Sequence, residues 1–233
     1  MVRQIRLISG ALVVGGWTMI SRILGFVRDM MIAAWLGTGP VAEAFLIAFA
    51  LPNMFRRFFG EGAFNMAFIP LFSKKLEAGE DAEAFARDAF AGLTTILLIL
   101  TAVATLLMPW LVLAMASGFV GDVRFDMTVT LGRVVFPYIL FISLAALVSG
   151  VLNASGRFAA AAAAPVFLNI ILITALFLSG TVFPGFSILP DDIGGGAQGT
   201  ALAIGSVVAG VVQLAIVWVA ARKAGFNLMP SRP

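Results

Sequence analysis

No cysteine and no histidine occurs among the 233 residues. Their absence excludes disulfide staples, the usual zinc ligand sets, a thiol nucleophile and an imidazole proton relay. Any proton coupling within the chain therefore falls to carboxylates. Charge is scarce as well, at 12% of residues against 61% hydrophobic, and the mean hydropathy is +1.05. That balance lies well outside a soluble globular domain and marks an integral membrane protein. No Gly-x-x-x-x-Gly-Lys-Ser/Thr loop is present, which excludes ATP hydrolysis by that route. Without His or Cys there is also no nucleophile, base and orienter set, so the chain reads as a non-enzyme with no cofactor and no metal. The net charge of +3 does not point to nucleic acid, because the basic residues stand at helix ends rather than in one aromatic-interleaved patch.

Apolar runs of about 20 residues, read against turn signals, predict an all-α bundle of six transmembrane helices. The predicted spans are 7–36, 41–59, 89–114, 128–152, 159–184 and 196–221, with 61–88 as a cytoplasmic loop or interfacial segment. Arg3 and Arg6 before the run Leu7–Ile20 resemble the start of a signal peptide. The apolar pattern continues past Arg22 without a clear small-x-small site, so an uncleaved first helix is the better reading. Lysine and arginine gather at Arg56, Arg57, Lys74, Lys75, Arg87, Arg157, Arg222 and Lys223, while Asp122, Arg124, Asp126, Asp191 and Asp192 fall in the opposite loops. The positive-inside rule then puts both ends of the chain in the cytoplasm.

The first helix carries Arg22, Arg28 and Asp29 within the stretch Ser21-Arg-Ile-Leu-Gly-Phe-Val-Arg-Asp29. A charge near the bilayer centre costs roughly 2.5–3.5 kcal/mol even on lenient insertion scales, so lipid is not what these side chains are expected to face. A polar cavity inside a helix bundle is, and two arginines make an anion its natural guest. On a straight helix Arg22 and Asp29 share a face, whereas Arg28 points about 120° away. A local break at Gly25 would swing both arginines toward one cavity; alternatively, Arg28 and Asp29 snorkel to the surface as an interfacial pair. By spacing alone Arg56 and Arg57 are topology signals, and Glu61 is placed to pair with Arg57 if the helix survives Gly60. Glu43, at the start of helix two, either serves the helix dipole or meets Arg28 or Asp29 on the antiparallel neighbour. Pro165 and Asn169 in helix five read as a packing kink with a satisfied amide ahead of a ligand role.

These residues carry a resemblance. Ser21–Asp29, followed by Glu43-Ala-Phe, Leu51-Pro-Asn-Met-Phe-Arg-Arg57, Glu61-Gly-Ala-Phe64 and Phe68-Ile-Pro70, resemble the N-terminal region of the MurJ (MviN) family of bacterial lipid II flippases. The order and spacing of several short motifs over about 60 residues give the resemblance its specificity. It implies one lobe of the two-lobe multidrug/oligosaccharidyl-lipid/polysaccharide exporter fold, in which two bundles enclose a central cavity and alternate between inward-facing and outward-facing states. It further implies that Arg22, Arg28 and Arg56 engage the diphosphate and sugar headgroup of lipid II, overriding the demotion of Arg56. Asp29, Glu43, Asn53, Arg57 and Glu61 become supporting or gating residues. Two departures are Glu43, where many members have Asp, and Ala50, where some have Lys.

The family's second lobe has no counterpart in this length. A fragment is favoured over a half that pairs with a second chain, and the missing C-terminal lobe becomes an expected partner beside lipid II and membrane lipids. The expected function is that of the N-terminal lobe of a lipid II flippase in the bacterial inner membrane. Rival readings are a flippase for another polyprenyl-linked oligosaccharide, a drug exporter of the same superfamily, or a non-transport membrane scaffold.

Overall fold

A computed structural model describes residues 2–57, 63–190 and 194–229, and among these the chain is helical with no strand. The described elements are α1 (Val2–Leu36), α2 (Pro40–Arg56), α3 (Ala63–Ala78), α4 (Ala82–Leu106), α5 (Met108–Met115), α6 (Val123–Val135), α7 (Tyr138–Ala154), α8 (Ala159–Thr181) and α9 (Gly196–Lys223). Helix α1 stops where Gly37 takes φ +60°, a backbone conformation that costs glycine nothing. Pro40 then opens α2 in the first turn, where an N–H would in any case lack a helical partner.

Several boundaries differ from the sequence expectation. Residues 63–78 form a helix that buries Phe68 and Phe72, so this part of the expected loop or interfacial segment packs against the bundle. Helix α4 begins at Ala82 rather than at 89, because the Asp81 carboxylate accepts the Ala84 N–H at 3.0 Å and Glu83 sits favourably in the first turn. The expected span 89–114 breaks at Leu107, two residues before Pro109, whose ring excludes the carbonyl four residues earlier. Likewise the expected span 128–152 is two helices, α6 and α7, bent by 40° at Phe136-Pro137. Pro52 and Pro165, by contrast, lie inside continuous helices.

Helices α4, α8 and α9 are each long and apolar enough to cross a membrane, and the bent pair α6–α7 is a fourth candidate. Helix α9 is the hub of the packing, touching α1, α2, α6, α7 and α8. Glycines make this possible. A Cβ on Gly199 would sit 2.5 Å from Val41 Cγ1 of α2, one on Gly205 3.0 Å from Ala175 Cβ of α8, and one on Gly210 2.8 Å from Tyr138 Cδ2 of α7. Between helices in lipid, where apolar burial gives little driving force, such close approach through small residues supplies much of the association.

Two apolar cores result. One gathers Ile32, Val41, Phe45, Leu131, Leu172 and Leu202 where α1, α2, α6, α8 and α9 meet. The other gathers Phe72, Phe90, Leu97, Phe136, Leu147 and Val217 around α3, α4, α7 and α9. Helix α1 lies against α8 at the edge of the first core and leaves Met19, Ile20, Ile23, Phe26 and Met30 exposed. The segment that bears Arg22, Arg28 and Asp29 is thus a surface element of the bundle.

The glycine contacts predict a contrast in stability. Gly210→Leu should lower the melting temperature of the purified chain in detergent, since overpacking costs about 1–3 kcal/mol. Gly92→Ala, at a position with nothing within 4 Å of the new Cβ, should leave it unchanged or raise it through about 0.5–1 kcal/mol of helix propensity. Equal melting temperatures for Gly210→Leu and the parent would contradict this account of α9.

Candidate functional site

The charged segment of α1 is fastened by a small polar network. The Arg28 guanidinium donates from Nε and Nη2 to Asp29 Oδ1, at 3.0 and 2.8 Å, and from Nη1 to Asn169 Oδ1 of α8 at 2.8 Å. Asn169 in turn donates from Nδ2 to the Ser21 carbonyl at 2.9 Å and reaches the Ser21 hydroxyl at 3.4 Å. Asn169 is 5% exposed, the Arg28 side chain 20% and the Asp29 side chain 65%. A buried amide is costly unless hydrogen-bonded, and here both ends of the amide are satisfied by α1. Arg28 thus reaches inward to α8 while its own neighbour Asp29 stays at the surface.

Helix α1 is continuous through Gly25, so no break there swings the arginines together. A Cβ on Gly25 would meet Asn169 Nδ2 at an ordinary 3.7 Å. Arg22 is exposed and makes no ion pair or side-chain hydrogen bond among the described residues. On α2, Asn53 donates from Nδ2 to the Phe49 carbonyl at 2.8 Å, Arg56 is half-buried and Arg57 is exposed at the C-terminal end. Glu61 lies outside the described residues.

One buried polar group was not singled out by the sequence reading. Tyr138, the only tyrosine, is buried at 2% exposure, its hydroxyl beside Gln213 and within electrostatic range of Arg28 and Arg56. Its ring stacks on Phe49 of α2 with centroids 5.9 Å apart. A lone tyrosine in an apolar helix start was the available signal, but nothing local says which helices it will face.

Glu43 goes elsewhere. It meets neither Arg28 nor Asp29: Arg124 of α6 donates to its Oε2 at 2.6 Å, and to Asp122 Oδ2 at 2.9 Å, with the guanidinium 4.5 Å above the Phe119 ring. Asp122 also caps α6 by accepting the Arg124 N–H at 2.9 Å. This cluster ties the start of α2 to the start of α6. Sequence reading had Arg124 only as a loop charge.

The arrangement offers one kind of chemistry. Among the described residues no group of three or more acidic side chains stands close enough to hold a metal ion. An apolar cleft of about 340 Å³ between α8 and α9, lined by residues such as Ile171, Leu178, Phe183 and Val208, presents no charge. The cationic groups stand instead along α1 and at the end of α2, where guanidinium forks suit oxyanions.

Comparison with known proteins gives a consistent result. The family model "Lipid II flippase MurJ" matches residues 32–232. A probable lipid II flippase MurJ of Rhizobium meliloti is 49% identical over 227 residues, covering 94% of this chain and 40% of the relative. A probable lipid II flippase MurJ of Rhizobium tropici is 45% identical, covering 95% and 41%, and the lipid II flippase MurJ of Burkholderia cenocepacia is 41% identical, covering 72% and 33%. A solved structure of lipid II flippase MurJ in an inward closed conformation superposes with a TM-score of 0.68 at 27% identity, covering 88% of this chain and 41% of that one. The chain spans about two-fifths of the length of the Rhizobium relatives it matches.

The Glu43–Arg124–Asp122 cluster generates a pH prediction. The Arg124 side chain and backbone N–H, both bonded to Asp122, hold its carboxyl below the ordinary carboxylate range. A carboxyl lowered on folding stabilises above its unfolded value, and this contribution is lost as pH falls through the folded value. The melting temperature should therefore fall below about pH 4. Asp122→Asn should remove part of that acid sensitivity while leaving the neutral-pH fold intact; an unchanged acid profile in this variant would exclude the cluster as its source.

Proposed function

The chain belongs to the lipid II flippase MurJ family, and on that premise we propose that it forms the N-terminal lobe of a flippase for undecaprenyl-diphosphate-linked disaccharide-pentapeptide. The observation that carries this reading is the Arg28 guanidinium held between Asp29 and Asn169, with Arg22 exposed on the same helix and Arg56 half-buried at the end of α2. The lobe spans the bacterial inner membrane six times, α1 and α2 supplying two spans beside α4–α5, α6–α7, α8 and α9, with both ends cytoplasmic. Arg22, Arg28 and Arg56 hold the diphosphate, and Asp29, Glu43, Asn53, Arg57 and Glu61 support or gate the site.

Arginine suits this task because its planar fork offers paired hydrogen bonds to a phosphate and stays charged when partly desolvated. Binding must nevertheless remain weak enough for release at the outer leaflet. With the inside negative, the membrane potential favours outward movement of an unaccompanied anion by ~2.3 kcal/mol per charge per 100 mV. A second bundle opposite α1 completes the cavity and gives the lobe something to rock against. It also covers a face that otherwise exposes Arg22 and Asp29 beside Ile23 and Phe26.

Two experiments test the reading. Joined to the remaining length of the Rhizobium meliloti relative, the chain should support growth of a flippase-depleted cell. Arg22→Ala, Arg28→Ala or Arg56→Ala should each abolish that growth with membrane insertion intact, since a lost charged hydrogen bond weakens binding by about 1.5–3 kcal/mol. Arg157→Ala, at the turn between α7 and α8, should be tolerated; normal growth with Arg22→Ala would remove that residue from the site. For topology, a reporter after Pro233 should read as cytoplasmic and one inserted near Asp191 as periplasmic. The opposite result would sink the span count or the orientation.

A further inference from the structure

Asn169 stands 141 residues from Arg28 in sequence, yet its side-chain hydrogen bonds to Arg28 and Ser21 all go to the segment of α1 that carries the charges. An amide in an apolar helix needs partners, and a packing role would be met by any two. Here the two ends are used differently. Nδ2 fixes the amide to the Ser21 carbonyl, which leaves Oδ1 with one orientation, toward Arg28 Nη1 at 2.8 Å. Asp29 holds the other side of the same guanidinium through Nε and Nη2.

A guanidinium has five N–H donors in a rigid fork. Three are taken by these contacts, and what remains is one N–H on each terminal nitrogen. One N–H on each of the two terminal nitrogens leaves a guanidinium two donors with which to reach a phosphate. The acceptor on the α8 side is also neutral. A second carboxylate there would surround Arg28 with two negative groups and set the site against an anion, whereas an amide orients the guanidinium without cancelling its charge.

We propose that Asn169 is a positioning residue for anion binding: it turns the Arg28 guanidinium so that its two remaining terminal N–H groups face an incoming diphosphate, and its neutrality keeps that site attractive to anions. This rests on the reading of Arg28 as a diphosphate ligand. Ser21 becomes part of the same device, as the anchor of the amide. The effect of Asn169 passes through Arg28 alone.

The test is a double-mutant cycle on the purified chain in detergent micelles, reading affinity for undecaprenyl diphosphate together with melting temperature. Asn169→Leu keeps the branching of the side chain at Cγ, with somewhat greater bulk, and removes both polar ends; Asn169→Asp keeps the acceptor and adds charge. Asn169→Leu should weaken binding at least fivefold, and Asn169→Asp more than that. In an Arg28→Ala background, Asn169→Leu should change affinity less than twofold, whatever it does to the melting temperature. Parental affinity in both Asn169 variants would overturn the proposal. So would a fivefold loss that persists without Arg28, which would make Asn169 a structural residue only. If Arg28→Ala by itself leaves affinity unchanged, the assignment of Arg28 to the site fails, and the positioning role falls with it.

Discussion

The whole arrangement turns on one constraint: an arginine held at the edge of an apolar bundle must find hydrogen-bond acceptors within the protein. Arg28 finds them on Asp29 and Asn169, and only the second lies on another helix. That bond sets where α1 runs. With Nδ2 of the same amide bound to the Ser21 carbonyl, about two turns of α1 are pinned along α8. Leucine-like contacts alone would not fix this register, because lipid competes for apolar side chains on equal terms.

Pinning α1 requires α8 to be held firmly in its turn, and this is the work of α9. Gly199, Gly205 and Gly210 admit Val41, Ala175 and Tyr138 from three different helices to distances a side chain would forbid. The same helix therefore aligns α2, α7 and α8 against one rod. Tyr138 is placed by that contact and by Phe49. Its hydroxyl then lies beside Gln213 of the same hub helix.

A second polar cluster binds α2 to α6 through Glu43, Arg124 and Asp122. It takes Glu43 away from the charged stretch of α1 and gives it a cation of its own. Arg28 consequently keeps one carboxylate neighbour rather than two. The charges of α1 are left on an edge helix of the bundle.

The membrane class, the helical fold and the family were legible in the sequence, because they rest on local information: apolar runs, the scarcity of charge, and short motifs in fixed order. The missing histidine and cysteine excluded several chemistries by composition alone. Helix boundaries were less legible where short-range signals competed. The stretch up to residue 88 read as a loop or interfacial segment, but the Asp81 cap and a first turn that carries Glu83 start α4 at Ala82. Pro109 and Pro137 ended helices while Pro52 and Pro165 did not, so a proline leaves its outcome to the surrounding packing. The partners of the site residues were decided by tertiary structure. Spacing left Arg28 between a cavity and the surface, and left Glu43 between the dipole of its own helix and the charges of α1; their side-chain partners come from residues 141 and 81 positions away. Periodicity fixes which face of a helix a side chain occupies, and only the packing of α8, α6 and α9 determines what stands opposite.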